Sequence, residues 1–93
     1  MSDAVATRYD VGPDMTVIHR PLGRTGKGPE AWEFEHVCHR VRDGLTIRIA
    51  PELQTQEGRH RIVATDPLTV TPSILCSDCG VHGFVTDGRW NGV

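Results

Sequence analysis

The sequence is poor in large apolar side chains, and aromatic residues make up only 5% of its 93 positions. Two Trp, two Phe, one Tyr and two Met are available to fill a core. A chain of this length is enough for one domain and not for two, and it buries only about 60–65% of its unfolded surface. A core with so few large side chains predicts an additional source of stability, such as a disulfide, a metal ion or a partner surface.

Long apolar runs and an excess charge of either sign are also lacking. No stretch approaches the roughly 18 apolar residues of a membrane span, and the first eight residues contain no apolar run of the kind found in signal peptides. Twelve acidic and ten basic side chains give a formal net charge of −2, which argues against coating nucleic acid through bulk positive charge. Three cysteines, an odd number, make a disulfide framework a poor explanation. We therefore expect a cytoplasmic protein that makes no membrane contact.

Ten Gly and six Pro disfavour a helical bundle and favour short strands joined by tight turns. Alternating apolar residues predict strands over 15–19, 60–64 and 68–75, together with hairpins over 36–50 and 81–90. Three-residue loops, 42–44 and 86–88, are expected to close the hairpins, because the first pairs Val41 with Leu45 on one apolar face. The predicted fold is mainly β, a small single domain. It has an arm and loop with one short strand over residues 1–30 and a zinc-ribbon-like β domain over residues 31–93.

The strongest local signal is the segment Cys76-Ser-Asp-Cys79-Gly80, because two close thiolates followed by Gly are typical of a metal knuckle. His82 follows three residues later, and Cys38 is the remaining cysteine. A structural Zn²⁺ needs four N or S ligands, and closing a loop of 38 residues would tie two halves of a small domain together. The predicted zinc ligands are Cys38, Cys76, Cys79 and His82. His36 is the reserve ligand because it shares a strand face with Cys38, whereas His39 points the other way.

Other interpretations of these residues remain open. The Cys-x-x-Cys pair could be two reduced thiols or a redox pair, although no helix pattern follows it. His19 and His60 are interpreted as ordinary polar side chains. Neither a Ser/His/Asp order, nor a deaminase signature, nor a phosphate-binding loop before a helix is found. On these grounds no enzymatic activity and no small-molecule substrate are expected.

The segment from Leu68 to Trp90 resembles a family of small uncharacterised zinc-binding proteins that is frequent in bacteriophages and their hosts. The resemblance is carried by Pro72-Ser73-Ile74, by Cys79-x-x-His82, by Asp87-Gly88 and by the upstream His36-x-Cys38. This chain departs from the family pattern in two ways. Its upstream region has a single cysteine, Cys38, where relatives tend to have more, and it has Cys76, which the pattern lacks. The resemblance implies a metal-binding β fold and a phage or phage-derived context.

Together these features predict a non-enzymatic, zinc-stabilised interaction protein. Its concrete form would be a phage-encoded accessory virion component, such as a capsid-decorating or head–tail protein, present in the host cytoplasm and in the virion. The expected partners are capsid or other virion proteins in a symmetric assembly. The alternative is a zinc module that binds nucleic acid or a regulatory protein, for which Arg40 and Arg48 would supply a local basic face.

Overall fold

The computed structural model describes residues 5–93, in which all regular secondary structure is antiparallel β. The strands are β1 (Thr7–Gly12), β2 (Met15–Arg20), β3 (Ala31–His39), β4 (Thr46–Ile49), β5 (Arg61–Thr65), β6 (Leu68–Leu75), β7 (His82–Thr86) and β8 (Arg89–Gly92). They form two four-stranded meanders, β1 to β4 and β5 to β8. The predicted mainly-β class is thus confirmed. No helix in the described residues is long and apolar enough to cross a membrane.

The region expected as an arm with one short strand contains two strands, β1 and β2. Both belong to the first sheet, where β2 pairs with β3 over its whole length. Residues 1–4 of the expected arm lie outside the described residues. Buried side chains on both faces explain why β2 is an inner strand: Val17 belongs to the core between the sheets, and Thr16 and Ile18 on the opposite face are also buried.

The core lies between the two sheets, and both contribute to it. Its buried members are Val11, Val17, Trp32, Phe34, Leu53, Leu68, Val70, Ile74 and Val85. The Phe34 ring on β3 stacks with the Trp90 ring on β8, the edge strand of the second sheet, at a centroid distance of 5.0 Å, which joins the two sheets. Both rings are among the few large side chains of this chain, and both pack in the core between the sheets.

Both predicted hairpin registers were wrong by one residue. In the first hairpin Cys38 pairs with Ile47, and the Arg40 N–H donates to the Leu45 carbonyl, so the loop has four residues, 41–44. The buried face therefore carries Phe34 and Cys38, while Val41 is 82% exposed. A one-residue shift in register turns every side chain of a strand to the opposite face. The observed register buries the face that carries Cys38, and the apolar face predicted from the sequence is turned away from the core.

In the second hairpin Val85 pairs with Trp90, which leaves a two-residue loop, Asp87-Gly88. Asp87 has φ 51° and Gly88 has φ 78°, as the tight turn favoured in two-residue hairpins requires. This register places Trp90 on the same face as the buried Val85 and leaves Phe84 opposite Asn91 on the outer face.

Candidate functional site

A compact cluster of sulfur and nitrogen atoms joins the two sheets. His36 and Cys38 lie on β3, and Cys76 and Cys79 lie in the turn between β6 and β7. One ligand atom from each of the four residues lies within 4.8 Å of all the others. Three of the four residues are buried, so water does not compete strongly for these atoms.

Two distances in the cluster match the edge of a tetrahedral zinc site. The Sγ atoms of Cys38 and Cys76 are 3.9 Å apart, and the Cys79 Sγ is 3.7 Å from the His36 Nε2. Zinc–sulfur bonds of about 2.3 Å give a tetrahedral edge of about 3.8 Å. His36 Nδ1 lies 3.3 Å from the Phe34 carbonyl, and donation to that oxygen leaves the Nε2 lone pair facing the sulfurs. These four residues can therefore bind a metal ion.

The thiols in the cluster differ in their proton affinity. Burial raises the pKa of the Cys38 thiol to about 12, and the sulfurs of Cys79 and Cys76 add to this shift. Burial acts in the same direction on Cys79, but donation from the Val81 N–H and from the neighbouring thiols outweighs it and lowers the pKa of Cys79. The charge of a bound dication would stabilise the Cys38 thiolate, which burial disfavours, so the close packing of the sulfurs suits a metal ion.

The structure brings together three of the four predicted ligands, Cys38, Cys76 and Cys79. The fourth member of the cluster is His36, which had been the reserve choice, and His39 is exposed with Nδ1 3.0 Å from the Thr46 hydroxyl. His82 lies outside the cluster. Its Nε2 is 2.9 Å from the Ser73 Oγ, which is the distance of a good hydrogen bond.

Strand pairing explains how Ser73 and His82 meet. Leu75 on β6 pairs with His82 on β7, and Ser73 lies two residues before Leu75 on the same face. Diagonal neighbours of this kind are within reach of each other's side chains. Both residues are partly buried, and in residues 5–93 Ser73 is the hydrogen-bond partner found for the His82 ring. A serine hydroxyl facing an imidazole nitrogen is the nucleophile–base arrangement of acyl transfer.

A cleft opens beside Ser73, between β6 and the segment 51–60. Its volume is about 510 Å³, within the range of ligand sites. Apolar side chains, including Phe34, Leu53 and Ile74, form part of its wall, and Gln54, Arg59 and His60 add polar groups. The cleft therefore combines room for an apolar side chain with polar groups beside Ser73.

Sequence reasoning missed Ser73, although a signal was present. Ser73, Cys76, Cys79 and His82 follow one another at intervals of three residues. Any chain reversal centred on the two cysteines returns His82 to the neighbourhood of Ser73. The search for a Ser/His/Asp order overlooked this pair because it required an acid and because His82 had been assigned to the metal.

The fold and the two sites define a small two-sheet β domain that holds a serine–histidine pair next to a Cys₃His cluster. A family model described as a bacterial ubiquitination-like system serine protease, BubE, matches residues 13–93. The chain belongs to this family. No curated protein and no solved structure matches the chain.

This family membership corrects the functional expectation. A non-enzymatic role as a phage virion or capsid component was wrong, since the family is one of serine proteases from a bacterial ubiquitination-like system. The expected resemblance to a family of small domains is confirmed only at that level, and the phage zinc-binding family is not the one that matches. The error arose because the Pro-Ser-Ile motif was interpreted as a family signature and its serine was not considered as a nucleophile.

Proposed function

We propose that this protein is a serine protease in which Ser73 is the nucleophile and His82 is the general base. The observation that carries the proposal is the 2.9 Å hydrogen bond between the Ser73 Oγ and the His82 Nε2, together with the cleft that Ser73 lines. Since the family description names a serine protease of a ubiquitination-like system, we take the substrate to be a polypeptide of such a system.

The chemistry of the pair is that of acyl transfer. The Ser73 Oγ attacks the substrate carbonyl carbon as its proton passes to the His82 Nε2, and His82 then donates this proton to the leaving amine. The acyl ester on Ser73 is hydrolysed by water, whose proton His82 accepts before returning it to Ser73. No carboxylate pairs with His82 among residues 5–93, so the proposed machinery is a dyad.

We further propose that Zn²⁺ binds His36, Cys38, Cys76 and Cys79 and acts structurally. A set of four protein ligands leaves no open position for water, as in structural zinc sites. The ion would hold the turn that separates Ser73 from His82 and tie that turn to β3. This assignment uses His36 in place of the initially predicted ligand His82.

Labelling with a fluorophosphonate probe, combined with proteolysis of an unfolded protein substrate, tests the nucleophile. We expect the probe to attach to Ser73, and Ser73→Ala to lose labelling and to lower kcat by about 10³-fold or more. Ser77→Ala is the matched control, because Ser77 lines the same cleft but has no histidine partner within residues 5–93, and its rates should stay within threefold. Full activity of Ser73→Ala, or labelling at another residue, would refute the proposal.

A further inference from the structure

A second histidine, His60, lies against the backbone of Ser73 and uses both ring nitrogens. Its Nδ1 is 2.9 Å from the Gln54 backbone nitrogen, and its Nε2 is 3.3 Å from the Ser73 carbonyl oxygen. His60 is partly buried in the wall of the cleft. The ring therefore bridges the segment 51–60 and the residue that carries the proposed nucleophile.

The two contacts determine which nitrogen carries the proton. A backbone N–H only donates, so Nδ1 of His60 accepts from Gln54 and is deprotonated. The proton of the neutral ring then lies on Nε2 and is donated to the Ser73 carbonyl. Because each ring nitrogen has one partner and one role, the ring orientation is set from both sides.

The Ser73 backbone lies where the sheet gives it little support. Pairing of β5 with β6 ends at Arg61 and Thr71, two residues before Ser73. On the other side, the pairing of β6 with β7 is irregular between Val70 and Ile74. Pro72, the residue before Ser73, has no N–H to donate. His60 thus supplies a hydrogen bond of the kind that a neighbouring strand would otherwise provide.

We infer that His60 is a positioning residue for the proposed nucleophile: by holding the Ser73 carbonyl, it keeps the Ser73 hydroxyl directed at His82. His60 touches no reacting atom and acts only through the backbone of Ser73. The inference rests on the proposed function, in which Ser73 is acylated. Small displacements of a nucleophile have large effects on rate, so one backbone hydrogen bond is enough to matter.

Two substitutions separate the two hydrogen bonds. In His60→Gln the amide nitrogen reaches the place of Nε2 and donates to the Ser73 carbonyl, but nothing accepts from the Gln54 N–H. In His60→Asn the amide oxygen takes the place of Nδ1 and accepts from Gln54, but the side chain is too short to reach Ser73. His60→Ala removes both bonds.

The measured quantity is the second-order rate constant for fluorophosphonate acylation of Ser73, together with kcat and KM for a protein substrate. We expect His60→Ala and His60→Asn to be acylated about five- to tenfold more slowly, a factor that corresponds to the loss of one hydrogen bond. With the protein substrate, the same loss should appear in kcat. His60→Gln should stay within threefold of the wild type. Melting temperature and metal content, compared across the variants, show whether each is folded.

The inference is overturned if folded His60→Ala reacts at the wild-type rate. It is also overturned if His60→Asn recovers the rate and His60→Gln does not, since His60 would then serve only to anchor the segment 51–60. Equal rates for the Gln and Asn variants likewise count against it. Failure of the proposed function is recognised separately, because Ser73→Ala would then remain active whatever His60 does.

Discussion

At the scale of single residues, two histidines with similar surroundings in sequence have different partners. His36 precedes Cys38 by two residues and faces the sulfurs, whereas His82 follows Cys79 by three residues and faces Ser73. Spacing alone favoured His82 as the metal ligand. Alternate residues of a strand point to opposite sides, so the strand face determines which histidine reaches the sulfurs. His36 is on that face and His82 is not.

Exchanging each histidine for alanine should separate metal binding from catalysis. We expect His82→Ala to keep one metal ion per chain and to lose fluorophosphonate labelling, because its imidazole lies outside the cluster. His36→Ala should weaken metal binding at least tenfold, since one of four ligands is removed. Elemental analysis by mass spectrometry and a chelator competition measure both quantities. Loss of the metal in His82→Ala would show that His82 is a ligand after all.

Gly83, next to His82, lies where there is no room for a Cβ atom. A Cβ there would lie 2.5 Å from the Asn91 carbonyl oxygen and 2.7 Å from the Cζ2 of Trp90. Gly83→Ala should lower the free energy of unfolding by about 1–3 kcal/mol through overpacking. Gly12→Ala is the control, because its Cβ would meet Trp90 at an ordinary 3.5 Å. Urea denaturation compares the two, and an equal effect would contradict the close approach at Gly83.

At the scale of elements, the turn between β6 and β7 links the two proposed sites. The Cys76 N–H donates to the Val81 carbonyl at 2.8 Å, and the Gly80 N–H donates to the Cys76 carbonyl at 2.7 Å. Ser73 precedes this turn by three residues and His82 begins the strand after it. The geometry of the turn therefore sets the distance between the proposed nucleophile and the proposed base.

If Zn²⁺ occupies the proposed site, its removal should disable the serine site even though the ion takes no part in the reaction. We expect a chelator to abolish both the cooperative melt and fluorophosphonate labelling, because structural zinc contributes about 10–16 kcal/mol, which is as large as the stability of a small domain. Reloading with Zn²⁺ or Cd²⁺ should restore similar rates. A difference of more than about tenfold between the two metals would indicate that the ion takes part in the reaction. An unchanged melt after chelation would refute the structural role.

At the scale of the whole molecule, the two sheets contact each other through one small hydrophobic core and through the Cys₃His cluster. The Phe34 ring connects both, since it stacks on His36 at 4.6 Å and on Trp90 at 5.0 Å. Phe34 is 1% exposed, whereas Phe84 is 43% exposed on the outer face of the second sheet. A chain with so few aromatic residues therefore depends strongly on one of its two phenylalanines.

Phe34→Ala should lower the free energy of unfolding by about 3–5 kcal/mol, a large part of the stability of a domain this small. Phe84→Ala, the matched control, should cost less than about 1 kcal/mol because this residue is already 43% exposed on the outer face of the second sheet. Chemical denaturation of the metal-loaded proteins measures both. Similar losses in the two variants would argue against the Phe34 ring as the contact that joins the sheets.

Local features made part of this molecule predictable from its sequence. The strand over residues 68–75 coincides with β6, and the mainly-β class follows from the abundance of Gly and Pro and from alternating apolar residues. The Cys-x-x-Cys-Gly spacing indicated a metal-binding turn, because the chemistry of two adjacent thiolates is contained within five residues. Hairpin registers were less predictable, since both loops differed by one residue from the expected length.

The sequence by itself determined the fold class and the clustering tendency of the cysteines, because strand periodicity and turn chemistry act over a few neighbouring residues. Only the tertiary structure decided which histidine joins the cysteines and which one meets Ser73. Those contacts join atoms of different elements, and His36 on β3 and Cys79 in the turn after β6 are 43 residues apart. Their existence depends on sheet register, and a shift of one residue would turn each side chain to the opposite face.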